Sequence, residues 1–152
     1  MKLAEALILR ADLKTRGAKL KELLNANAKT QEGETPSLSI AALLAEFEEV
    51  ASQTMVLIRQ INKTNAQTPF SDDTTLTDAL AERDVLGARL KTYRGLIDAG
   101  TIRQDLRTRS EVKFKVAFDV AELQKQVDVL AKQYRELDTK IQALNWQTDL
   151  IE

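Results

Sequence analysis

Apolar residues recur at intervals of three and four along most of the chain, the spacing that lines one face of an α-helix. Four segments carry the pattern. In the first, residues 2–29, Leu3, Ala6, Leu13, Gly17, Leu20 and Leu24 form the series and Arg10 interrupts it. The stretch 31–36 then breaks the helix: Gly33 suits a helix end, and Thr35-Pro36 suits a cap followed by proline. The second segment, 36–65, repeats every seven residues through Ile40, Leu43, Phe47, Val50, Thr54, Leu57 and Ile61. A polar loop at 67–73 ends it. The third, 75–99, runs through Leu76, Ala79, Leu86, Leu90, Tyr93 and Ile97, with Arg83 inside the series and Gly100 as a stop. Gly87 and Gly95 lie within it. Each costs about 1 kcal/mol relative to alanine, so close packing against a neighbour is expected there. The fourth, 119–151, starts at a capping-box-like Asp119 and Glu122. Val120, Leu123, Val127, Leu130, Tyr134, Leu137, Ile141 and Leu144 make it the most regular of the four.

One stretch departs from this period. Val112, Phe114, Val116 and Phe118 alternate with Lys113, Lys115 and Ala117, which predicts a short strand. A lone strand leaves its backbone unpaired, so pairing with a second subunit is expected.

The predicted architecture is all-α: about four long helices in antiparallel, coiled-coil-like hairpins within one domain, plus the strand near 112–118. Composition agrees. Of 152 residues, 30% are charged and 5% aromatic, with only 5 glycines and 2 prolines, a mix that favours long helices over an all-β fold. Residues 1–29 carry a charge of +4 and residues 30–66 one of −3, so an antiparallel pairing of the first two helices is electrostatically complementary.

Composition also removes chemistry. There is no cysteine and no histidine. Disulfides, thiolate catalysis and cysteine-bound metals are excluded, and so are the usual general base and transition-metal ligand. The net charge of −1 gives no global attraction to nucleic acid or membrane. No stretch approaches the roughly 18 apolar residues that span a bilayer, and the N-terminus lacks a signal-peptide pattern. A cytoplasmic protein without a cofactor or metal is expected, and an enzyme is not.

Three constellations remain as candidate sites. An up-down-up-down path brings Arg10, Asp12, Asn62, Asn65, Asp78, Arg83, Asp84 and Asn145 to one end of the bundle. Two arginines in the heptad series are costly unless paired. The cluster is therefore either a register-fixing ion-pair network, the favoured reading, or a pocket for an anion or small ligand. Arg103, Arg107, Arg109, Lys113 and Lys115, interleaved with Phe114 and Phe118, form a weaker candidate for nucleic-acid contact. The carboxylates Glu46, Glu48 and Glu49, or Asp72 and Asp73, lack calcium-loop spacing and are expected to be solvated. Trp146 is read as core packing or a subunit contact.

Several stretches resemble a known family: Lys2 to Leu7, Asn25 to Lys29, Gln31 to Glu34, Ile61 to Asn65, Thr75 to Leu80, Arg83-Asp84, Ser110 to Phe114, Asp119 to Leu137, and Leu144-Asn145-Trp146. Together they are similar to uncharacterised bacterial, actinobacterial-type helical proteins that often carry the label septicolysin. The resemblance covers essentially the whole chain. It implies a helical fold and a cytosolic bacterial protein with no established activity. The label suggests a thiol-activated cytolysin, yet the chain offers no cysteine to activate and no bilayer-spanning segment.

The expected function is structural or interaction-based, with the chain itself as partner in a homo-oligomer. Val112, Phe114, Val116, Val127, Leu130, Tyr134 and Trp146 are the candidate subunit contacts. The alternative is ligand or anion binding at the polar cluster.

Overall fold

The computed structural model describes residues 1–101 and 114–152. Four helices follow one another: α1 (Leu3–Ala26), α2 (Ile40–Gln67), α3 (Leu76–Gly100) and α4 (Val120–Gln147). The protein is all-α, as the periodicity predicts, and the helix ends show what the side chains decide locally.

Helix α1 opens where the Lys2 amide donates to Glu5 Oε2 at 2.7 Å. It ends at Ala26, short of the predicted Lys29, because Asn27 intercepts it. The Asn27 amide and its Nδ2 both donate to the Leu23 carbonyl, at 3.0 and 2.8 Å, and Ser37 Oγ donates to Asn27 Oδ1 at 3.1 Å. Such a side chain competes with the helical ladder. Gly33 does not end the helix; it turns the connecting loop, with φ of 89°. Nor does Thr35-Pro36 start the next one. Helix α2 begins at Ile40, where Ser39 Oγ accepts from the Ala42 amide at 3.3 Å and so satisfies one of the exposed N–H groups of the first turn. At α4 the predicted cap is present: Asp119 Oδ1 accepts from the Glu122 amide at 3.0 Å.

The chain divides into two compact units, Met1–Leu76 with Gln142–Glu152, and Thr77–Ile141. In the first, α1 and α2 pack together. Leu3, Ala6, Leu13 and Leu20 are buried on α1, and Leu43, Val50, Leu57 and Ile61 on α2. The Arg16–Glu46 ion pair at 2.7 Å joins the basic helix to the acidic one. Thr54 and Thr64 sit in the same α2 series and satisfy their hydroxyls within the helix, donating to the Val50 and Gln60 carbonyls at 2.7 and 2.8 Å.

The segment after α4 closes this unit. Leu3 N donates to Thr148 O and Leu150 N to Met1 O, both at 2.9 Å, so the two segments pair as an antiparallel bridge at Lys2 and Asp149. Ile151 N donates to Thr64 Oγ1 at 2.9 Å, and Lys63 Nζ to Glu152 O at 2.7 Å. Fully buried Thr64 therefore donates to its own helix and accepts from the closing segment.

In the second unit α3 and α4 run side by side. A Cβ on Gly87 would lie 3.3 Å from Tyr134 Cε2, and four residues along on each helix Arg83 meets Asp138. Four residues back on one helix against four forward on the other is the register of an antiparallel pair. Leu86, Leu90, Val127, Leu130 and Leu137 are buried here. The close-packing expectation holds at Gly87 and fails at Gly95, which among the described residues has no packing neighbour within 4 Å of its Cβ position.

The predicted strand is not found among the described residues: 114–118 form no strand, and Val112 and Lys113 lie outside the described residues. The alternation has another use. It turns Val116 and Phe118 toward the end of α3, where a Cβ on Gly100 would come within 2.7 Å of Phe118 Cζ. Phe114 is 81% exposed.

Candidate functional site

Of the predicted polar cluster, Arg83 is the member withdrawn from solvent with its charge answered. Its side chain keeps 25% of its exposure and bonds Asp84 Oδ1 at 3.1 Å and Asp138 Oδ1 at 3.4 Å. Burial pulls the guanidinium pKa down, but the hydrogen bonds and charges of Asp84 and Asp138 outweigh it and hold the group above its ordinary value. An arginine between two carboxylates is a structural clasp: its charge is already compensated.

The remaining predicted residues divide between the two units. Asp78 and Asp84 share the second unit with Arg83, Asp78 in the first turn of α3. Arg10, Asp12, Asn62, Asn65 and Asn145 belong to the first unit. Arg10 and Asp12 are exposed on α1 and Asn62 on α2; Asn65 is half-buried and Asn145 buried. Arg10 thus needs no buried partner, because α1 turns it outward while Leu13 turns inward. Leu9 and Leu13 share a groove with Gln53, Val56, Leu57 and Gln60.

The hydrophobic candidates change roles. Val127 and Leu130 are buried inside the second unit and Tyr134 is half-buried against Gly87. Val127 and Leu130 belong to the hairpin's own core, and Tyr134 keeps part of its surface. Trp146 is 56% exposed, so it is not core packing. Of the basic run, 103–113 lies outside the described residues, and Lys115 is exposed.

One surface open to a partner lies on α2. Its inward series leaves a second series on an adjacent face: Leu44, Glu48, Ala51, Met55, Ile58 or Arg59, and Asn62. Leu44, Met55 and Ile58 are 46%, 47% and 38% exposed. Beside them runs a groove of about 580 Å³ lined by Gly17, Phe47, Met55 and Ile58, with Lys14 and Arg59 as its charges. Gly17 contributes no side chain, which deepens the groove on the α1 side. On the other side of the same hairpin a second groove, of about 360 Å³, includes Leu9 and Val56. Among the described residues no group of three or more acidic side chains comes together as a metal site, and no helix is long and apolar enough to cross a membrane.

A family comparison matches residues 10–150. The chain belongs to the family of unknown function DUF6847. A crystal structure of a functionally unknown conserved protein from Corynebacterium diphtheriae is 44% identical to it, over 99% of each chain, with a TM-score of 0.91. The DUF6847 fold in this chain is thus similar to that crystal structure from end to end. No curated protein matches the chain.

Two features escape a reading of one heptad series per helix. Asp138 lies one residue beyond Leu137 and only the α3–α4 register brings it to Arg83. The second α2 stripe has a signal in the sequence, the run Leu44, Ala51, Met55, Ile58 at helical spacing, overshadowed by the stronger inward series.

Proposed function

We propose that this member of DUF6847 is a structural or interaction protein that works as a homo-oligomer, with the α1–α2 hairpin as its contact surface. The observation that carries this reading is the exposed apolar series on α2. Single exposed apolar side chains are ordinary on any surface. Leu44, Met55 and Ile58 instead lie on one face, next to an apolar groove, and contiguous apolar surface of that kind marks interaction sites. Covering it returns about 25 cal/mol for each Å² removed from water.

The rival reading, an anion or small-ligand pocket around Arg83, has less support, because Asp84 and Asp138 already occupy the guanidinium. Native mass spectrometry of the intact chain separates the two. The expected result is a mass of two or more times the 17.0 kDa chain with no retained small molecule. A 17.0 kDa species carrying a stoichiometric ligand would replace this reading with its rival.

A further inference from the structure

We infer that a second copy of this chain packs on α2 antiparallel to the first, in the register that places Ala51 of each copy against Met55 of the other. The inference rests on the homo-oligomer reading above and specifies its interface.

Three observations lead to it. First, the exposed series Leu44, Glu48, Ala51, Met55, Arg59, Asn62 follows the intervals of a helix face. It runs for about 27 Å of helix at 1.5 Å per residue, continuous and on a regular helix throughout. Second, its charges are placed asymmetrically: an acid near one end and a base near the other. Glu48 and Arg59 are both exposed, and among the described residues neither takes part in an ion pair. Third, the centre of the stripe pairs a small residue, Ala51, with a long flexible one, Met55.

A two-fold interface must be complementary to itself, since both copies present the same patch. Reversing the stripe on itself tests this directly. Antiparallel, with Ala51 opposite Met55, Glu48 of each copy reaches the turn that carries Ile58 and Arg59 of the other. Two equivalent ion pairs form, one on each side of the axis. Met55 fills the space that Ala51 leaves, as a knob fills a hole. Leu44 comes opposite Asn62 at the ends. Laid parallel in register, the same stripe sets Glu48 against Glu48 and Arg59 against Arg59, and like charges in register repel. The charge pattern therefore selects a second copy, and the antiparallel orientation of it.

The test is a charge-reversal cycle read by size-exclusion chromatography with light scattering at low salt, with circular dichroism to verify helicity. Glu48→Arg and Arg59→Glu each replace two attractions by two repulsions, and each is expected to weaken dimerisation at least about tenfold. The double variant E48R/R59E restores the pairs with their signs exchanged and is expected to regain the wild-type dimer. Glu48→Gln, which only removes charge, is expected to weaken it less than Glu48→Arg. A dimer indifferent to the single reversals overturns this interface while leaving the oligomer reading standing. So does a dimer that the single reversals weaken and the double variant fails to restore. A wild-type chain that is monomeric throughout overturns both.

Discussion

Gly95 is exposed on α3, and among the described residues no packing neighbour lies within 4 Å of the position its Cβ would take. Nothing in the packing repays a helical glycine there, so Gly95→Ala is expected to raise stability by about 0.5–1 kcal/mol, read as a higher midpoint in urea. Gly87 differs only in its neighbour. Its Cβ would press on Tyr134 Cε2 at 3.3 Å, so Gly87→Ala should gain less than Gly95→Ala, or lose, in the same titration. Thr64 makes the sharpest case for polarity inside the first unit. Thr64→Val keeps the shape but removes the acceptor for Ile151 N. An unsatisfied buried amide costs about 1–3 kcal/mol, and hydrogen exchange of the Ile151 amide should accelerate. Arg83→Met, by contrast, removes a clasp whose members keep a quarter to a third or more of their exposure. Partly solvated pairs are worth little, so the loss should stay within about 1 kcal/mol and association should be unchanged.

At the scale of elements, the pattern of apolar residues determines nearly all of what is seen. The inward series of all four helices can be read directly from the spacing of Leu, Val and Ile, and the cap of α4 from Asp119. The misjudged ends have a common cause. Asn27 and Ser39 act through side-chain hydrogen bonds, and periodicity is blind to such bonds; Gly33 and Pro36 are conspicuous but only shape the loop between them. The 112–118 alternation misleads for a related reason. A period of two says which side chains share a side, not what that side meets, and Val116 and Phe118 meet a helix end at Gly100. The candidate site was less legible than the fold. Arg83 was recognisable as an apolar-position arginine, but its partner Asp138 depends on the α3–α4 register. The apolar signal of Val127 and Leu130 fits a hairpin core and an oligomer seam equally, and the structure buries both within the second unit. Val127→Asp or Leu130→Asp should therefore disrupt the α3–α4 hairpin itself. A loss of helical signal and a cost of several kcal/mol are expected, where a pure subunit contact would shed only the oligomer.

At the scale of the whole chain, the segments at its two ends bond to each other, and the C-terminal one also bonds to α2. The Lys2–Asp149 ion pair, at 2.8 Å, is part of that closure. The hydrogen bond and charge of Lys2 hold the Asp149 carboxyl below its ordinary value. A carboxylate with a folded pKa below its unfolded one favours the fold when ionised. Its contribution is complete above the unfolded value of about 4 and fades as pH falls through the lower folded one. Stability of the wild type should thus converge on that of Asp149→Asn in acid, with the small difference between them confined to higher pH.

If the exposed face of α2 takes a second copy, the chain dimerises in solution. Sedimentation velocity of the unmodified chain over a wide range of concentration tests it most directly. A concentration-dependent shift from the 17.0 kDa chain to a species of twice that mass is expected, abolished by Ile58→Asp in a variant that keeps its helicity. A single 17.0 kDa boundary at every concentration, or a dimer that Ile58→Asp leaves intact, would contradict it.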